Sequence, residues 1–485
     1  MLTNTFQLLG LVTMRNSNTL RIIGFNSRLE MGTPDGKSAI ELTDDSRAVP
    51  VSTTRNLSSL KSNSEDFGTN YIWRLVLSSI KAAFFSDKIS FLLPCGPLAM
   101  LVDQLSQRHG WVFLLSLLGI IPLAERLGWA TEQLVFYTGP TVGSLLNATF
   151  GNATELIISL FAMKQGMLRL VQQSLLGSIL SNLLLVLGCA LFSGGIVHRN
   201  KEQIFNKSNA GMNMGLLLMA VMGLLFPALL HETQTELQIG TSELLLSRFC
   251  SCIMLIAYAI YIFFQLTNQK QDYSTIKEDG RQDDEESAEI SKWESVIWLG
   301  LLTLFISVLS EYLVNAIEGA SVAMDVPVAF IGVVLLPVVG NAAEHASAII
   351  FAIKDKLDIS LGVAIGSSTQ ISMFVMPFCV VIGWMIGSPM DLNFQLFETS
   401  ILFMTVLVVA FMLQEGTSNY FKGLMLLFCY MIVAASFFVH IDPVSIRELS
   451  LLFVTLCHLG LFWSFESIDL VLQKITLNIR SFRIT

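Results

Sequence analysis

A five-residue phrase, Gly-Asn-Ala-x-Glu, is written twice in this chain, at 151–155 and at 340–344, each time inside an apolar run long enough to span a bilayer. An amide and a carboxylate at that depth are costly unless polar groups meet them. The surroundings repeat as well. Leu123–Glu132 and Leu309–Glu318 both read L-x-E-x-L-x-x-A-x-E. Downstream, Phe161–Lys164 answers Phe351–Lys354, and Gly177-Ser178 answers Gly366-Ser367. The phrase glutamates are offset by 344 − 155 = 189 and the upstream ones by 311 − 125 = 186, so a three-residue indel separates the blocks.

The duplicated unit sets the architecture. Apolar runs lie near 89–106, 110–127, 135–163, 172–196, 211–231 and 243–267, then near 293–315, 326–352, 359–387, 394–413 and 419–440, eleven in all. They are long and continuous, unlike the roughly 10-residue alternating segments of a membrane barrel. Only 14% of residues are charged, against about 25% in soluble domains. The expectation is an all-α polytopic membrane protein. The first repeat covers 110–267 and the second 293–440, with an extra first helix at 89–106. A unit of five spans is odd, so the repeats run in opposite directions through the membrane. That is the inverted plan of many secondary transporters, with the site at the midplane between halves.

Three segments lie outside this plan. Residues 1–88 form a polar tail, read as cytosolic and as a candidate regulatory segment. The loop at 268–292 is acidic, with Asp283-Asp284-Glu285-Glu286 able to concentrate cations. Residues 441–485 form an extension in which Leu449–Phe465 is a candidate twelfth apolar segment. Orientation follows the basic residues. Arg199, Lys201, Lys207, Lys354 and Lys356 fall on the side of the tail, against Arg108, Lys164 and Arg169 on the other, which favours a cytosolic N-terminus. The seven cysteines lack metal or disulfide spacing and read as packing residues. No basic stripe points to nucleic acid. The expected partners are the bilayer, divalent cations and protons, with no resident cofactor. A second copy of the chain, or a regulatory protein on the tail, is the candidate protein partner.

The two phrases carry the chemistry. A bare Ca²⁺ takes six to eight oxygens from carboxylates, amides, hydroxyls and carbonyls. Glu155 and Glu344 supply two charges for one divalent ion, and Asn152 and Asn341 lie three residues before them, close to the same face. These four are the candidate metal ligands. The next span of each half adds Gly177-Ser178 with Ser181 and Asn182, and Gly366–Gln370. Two buried carboxylates are neutral either with protons or with a divalent ion, so protons and metal compete for one site. Glu125 and Glu132, and likewise Glu311 and Glu318, share a helix face at a spacing of seven and are candidates for an entry path. His345 follows Glu344 where the first repeat has Leu156, which makes it a candidate for proton relay or tuning.

At Gly151–Glu155 with Leu175–Asn182, and at Gly340–His345 with Gly366–Gln370, the chain resembles plant-type vacuolar cation/proton exchangers, the CAX family of the calcium/cation antiporter superfamily. The resemblance covers roughly 70–443, and the acidic loop after six spans fits it. It implies eleven spans, and exchange of cytosolic Ca²⁺, often also Mn²⁺ or other divalents, for protons of an acidic vacuole. By that resemblance Asn152, Glu155, Ser178, Asn341, Glu344, Ser367 and Gln370 form or surround the cation site. The extension after Pro443 departs from the pattern. A sodium-driven calcium exchanger is the nearest rival, and a cation channel a more distant one. No nucleophile–base set suggests an enzyme.

Overall fold

The computed structural model describes residues 88–106, 108–199, 201–237, 241–278 and 288–440. The tail, most of the acidic stretch and the C-terminal extension lie outside the described residues. After a short 3₁₀ turn at Lys88–Leu92 come α1 (Cys95–Ser106), α2 (His109–Phe150), α3 (Ala153–Lys164), α4 (Leu168–Val197), α5 (Lys207–Glu232) and α6 (Thr241–Glu278). The second half holds α7 (Lys292–Met324), α8 (Val328–Gly340), α9 (Ala342–Ile353), α10 (Leu357–Ile386), α11 (Leu396–Leu413) and α12 (Tyr420–Val439). Two short strands, β1 (Gln203–Ile204) and β2 (Thr417–Ser418), pair antiparallel at one end of the bundle.

Among the described residues nine helices are long and apolar enough to cross a membrane, or ten if the bent pair α8–α9 is one span. The expected runs at 89–106, 172–196, 211–231, 243–267 and all five of the second half match spans in place. The exception is the boundary near 128–134. Those residues lie in the interior of α2, which continues unbroken to Phe150. At 1.5 Å per residue, 42 residues extend about 63 Å, more than one bilayer thickness. The candidate span within α2 is His109–Thr138, and the expected run at 135–163, divided between the end of α2 and α3, is not among the candidate spans, so the expected eleven are not reached among the described residues.

Local chemistry explains the ends. Asn206 accepts from the Ser208 amide to cap α5, and Asn419 accepts from the Lys422 amide to cap α12. Ser291 and Glu294 close a reciprocal capping box on α7. That helix stops at Asp325, which takes the left-handed conformation ahead of Val326-Pro327. The cross-repeat contacts include α2 on α7, α12 on α4, α11 on α5, α9 on α4 and α10 on α6. Small residues make these crossings close. A side chain on Gly423 of α12 would come within 2.7 Å of the Gly188 carbonyl oxygen of α4.

Candidate functional site

Each phrase breaks its span. Asn152 and Asn341 have non-helical backbone angles, and neither side chain caps the half-helix that follows. Their carbonyls instead accept from the amides of Leu156 and His345, so α3 and α9 begin at the asparagines. The α8–α9 pair bends by 57° there. Glu155 and Glu344 fall in the first turn after each break. An asparagine side chain, a helix terminus and a carboxylate are thus brought together in each half, the device by which broken spans bind ions.

Buried hydrogen bonds join the halves. Ser367 of α10 donates its hydroxyl to Asn152 Oδ1 at 2.9 Å and accepts from Asn182 Nδ2 of α4 at 3.1 Å. The Glu344 carboxylate reaches the same serine and lies within electrostatic range of Glu155. Glu155 in turn borders the end of α8, where a Cβ on Gly340 would sit 3.7 Å from its Oε1. Ser181 of α4 and His345 Nε2 of α9 are 3.3 Å apart. Asn152, Asn341, Ser178, Ser181, Asn182 and Ser367 are all buried. Several polar atoms here have no hydrogen-bond partner: Asn182 Oδ1, Glu344 Oε2, Asn341 Nδ2 and Gln370 Nε2. Unmade bonds in a buried site are expensive, and oxygens left free among carboxylates suit a hard cation.

The helices that supply Ser178, Asn182, Ser367 and Gln370 depart from α geometry at matched places. A π turn starts at Ser181 in α4 and at Ile371 in α10, and a third occupies Ile331–Leu335 in α8. Such turns are frequent at functional sites because they redirect side chains and free carbonyls. Gly177 sits at one of the tightest crossings: a Cβ there would overlap the Val333 carbonyl and lie 2.6 Å from Val333 Cα.

The structure thus gathers Asn152, Glu155, Glu344, Ser367 and Asn182 into one contiguous cluster, with Ser181 and His345 paired beside it. Ser178 is buried on α4 one turn before Asn182, and Gln370 is half-buried on α10. Asn182 was offered by the sequence as an added oxygen donor but not among the residues that the resemblance places at the site; its counterpart by offset is Ile371, so the repeat alone gave it no partner. Of the candidate path residues, Glu125 accepts from Arg126 at 3.0 Å. Arg126 is buried and lies over Trp129 at 5.7 Å. Glu132, Glu311 and Glu318 are exposed on α2 and α7.

Comparison with known proteins gives the family. The model for the sodium/calcium exchanger protein family matches residues 109–267 and 294–439. Vacuolar cation/proton exchanger 2 of Oryza sativa subsp. japonica is 66% identical, over 80% of this chain and 90% of that one. Vacuolar cation/proton exchanger 5 of Arabidopsis thaliana is 62% identical, over 86% of this chain and 96% of that one. Among solved structures, native YfkE aligns with a TM-score of 0.62 at 35% identity, over 73% of this chain and all of that one. A structure titled H⁺/Ca²⁺ exchanger CAX aligns at 0.55 with 14% identity, over 82% of this chain and 97% of that one, and shares the fold. The chain is a member of the CAX family of cation/proton exchangers, within the sodium/calcium exchanger superfamily.

Proposed function

We propose that this chain is a secondary antiporter that exchanges Ca²⁺, and other divalent cations such as Mn²⁺, for protons across the vacuolar membrane. It is a transporter and not an enzyme. The observation that carries the reading is the joining of both repeats at one buried cluster. Asn152 and Glu155 come from one half, Ser367 and Glu344 from the other, and Asn182 ties them. Two carboxylates facing each other in a dry site cannot both be charged alone. One divalent ion or two protons neutralises them, so loading one species expels the other, and alternation of the two repeats carries each across. Ca²⁺ and H⁺ are cargo, and no resident cofactor enters the cycle. The relatives named as cation/proton exchangers favour protons over sodium as the driving ion.

The N-terminus then faces the cytosol. The β1–β2 end of the bundle is cytosolic, and the end carrying Arg169, His231 and Asp391 faces the lumen. A regulatory role for the tail, with a protein partner on it, belongs to the same proposal. The test is Ca²⁺ uptake into vesicles holding the full chain, with an imposed pH gradient. Uptake that collapses with a protonophore supports the exchanger; uptake that follows a sodium gradient instead overturns it.

A further inference from the structure

Three side chains that the exchange site does not use converge where α5 ends and α6 begins. His231 lies in the last turn of α5, Glu236 in the connection, and Glu243 in the first turn of α6. His231 Nδ1 is 2.8 Å from Glu243 Oε2 and 3.7 Å from Glu236 Oε1, and one ligand atom from each residue lies within 4.8 Å of the others. The Glu243 amide also donates to Glu236 Oε2 at 3.4 Å, which ties the connection to α6. The two carboxylates are buried, at 7% and 4% exposure, whereas the imidazole is 47% exposed.

The Asp391 carboxyl, from the segment between α10 and α11, lies within electrostatic range of Glu243, adding a third acid. Arg169 also reaches Asp391, but its guanidinium is held at 2.6 Å by the buried Glu398 and at 2.6 Å by Gln172. The half-exposed imidazole thus meets two carboxylates, with a third acid close by. Ligands held about 2.0–2.2 Å from a tetrahedral ion stand roughly 3.3–3.6 Å apart, a spacing that these atoms bracket. An imidazole with two carboxylates suits borderline transition ions, whereas calcium prefers oxygen alone.

We propose that His231, Glu236 and Glu243 form a second divalent-metal site, separate from the exchange site, that binds a zinc-class ion in preference to calcium. Two carboxylates balance its charge, and the exposed side of the imidazole leaves room for water as a fourth ligand. The site joins the ends of two successive spans, so metal there fixes the α5–α6 connection and leaves the Asn152–Ser367 cluster untouched.

The test uses the full chain in lipid nanodiscs, carrying Glu155→Gln and Glu344→Gln so that the exchange site does not contribute. Equilibrium dialysis should find one Zn²⁺ bound per chain, with equimolar Ca²⁺ failing to displace it. Adding His231→Ala or Glu236→Gln should weaken that binding at least about tenfold. Co²⁺ added to the otherwise unsubstituted chain should give a visible absorption band of nitrogen ligation that Zn²⁺ abolishes. No bound Zn²⁺, Zn²⁺ binding unchanged by both substitutions, or displacement by equimolar Ca²⁺ would each overturn the proposal. The exchange reading stands or falls separately, on proton-driven uptake by the unsubstituted chain.

Discussion

The two repeats contain the same pair of spans in two different forms. In the second, α7 stops at the left-handed Asp325 and α8 starts afresh after Pro327. In the first, helix runs on through Gly139-Pro140 to Phe150. The half-helices after the phrases then pack differently: besides the span that follows each, α3 lies on α7, whereas α9 lies on the second half of α4. Burial differs too, at 83% of the apolar window in α4 and 56% in α10. Equal phrases thus sit in unequal walls. The phrase determines which ligands are offered, and the helices around it determine how firmly each is held. An exchanger needs two packings of one site, and near-identical halves packed unequally are what one such state requires.

The largest expected effect tests whether the walls are chemically equal. Glu155→Gln and Glu344→Gln should each remove proton-driven Ca²⁺ uptake, by roughly 100-fold or more, since each deletes half of the charge that balances the ion. Loss with one and retention with the other would break the shared-site reading and assign the pair separate tasks. Next comes the crossing. Gly177→Ala should cut transport or folding sharply, because its Cβ overlaps the Val333 backbone, which has no flexible end to yield. A Cβ at Gly340 meets Glu155 Oε1 at an ordinary 3.7 Å. Gly340→Ala should therefore fold like the parent chain, as checked by thermal stability in detergent, and change only ion affinity. Equal damage from both would mean that the two crossings are equally tight.

How much of this was legible follows from what repeats. The paired phrases, the five-span unit and the offset located Asn152, Glu155, Asn341 and Glu344, because ligand types and apolar length are written residue by residue. Asn182 was legible only as an added oxygen donor, since its bond to Ser367 spans α4 and α10 and has no partner in the duplication. Arg126 was not singled out at all. Its neighbour Glu125 drew attention as a repeated acid, and only the folded helix puts the guanidinium over Trp129 beside that carboxylate. The continuous α2 was missed because Gly128, Thr131, Glu132 and Gln133 interrupt the apolar run at the expected boundary near 128–134, and sequence alone does not say that the helix continues through them.

His345 is the residue that most separates the phrases, and its replacement should have a moderate effect. The imidazole meets Ser181 at 3.3 Å where the first repeat offers Leu156. His345→Leu makes the second phrase resemble the first and leaves the Ser181 hydroxyl without that contact, a loss of about 1 kcal/mol. Ca²⁺ affinity in vesicle uptake should fall by several-fold, with the maximal rate less affected. An unchanged affinity and pH profile would make the histidine a packing residue.

The smallest effect concerns the two ends, where the repeats tie to each other by the same device with opposite electrostatics. At one end Gln203 of the first repeat donates to Asp355 at 2.8 Å and to the Ala352 carbonyl at 2.9 Å in the second. At the other, Gln172 of the first repeat donates to Asp391 of the second at 2.8 Å. The Gln203 amide, then the charges of His198 and Lys201, hold the Asp355 carboxyl below the ordinary range. Burial, and then the charge of Glu243, push Asp391 up to about 6 against the Asn393 amide, Gln172 and Arg169. A carboxyl raised in the fold contributes stability that is complete below its unfolded value, near 3.8, and is lost as pH rises through about 6. A lowered carboxyl does the reverse, contributing above 3.8 and losing that contribution only in stronger acid. Between pH 5 and 7, then, only the Asp391 end should respond. Thermal unfolding of the parent chain should include a component of order 1 kcal/mol that weakens from pH 5 to 7. Asp391→Asn should flatten that component, while Asp355→Asn should leave its pH dependence as it is. A tie that loosens near neutral pH and tightens in acid suits the lumenal placement proposed for that end. The same slope in Asp391→Asn as in the parent would remove that distinction between the two ends.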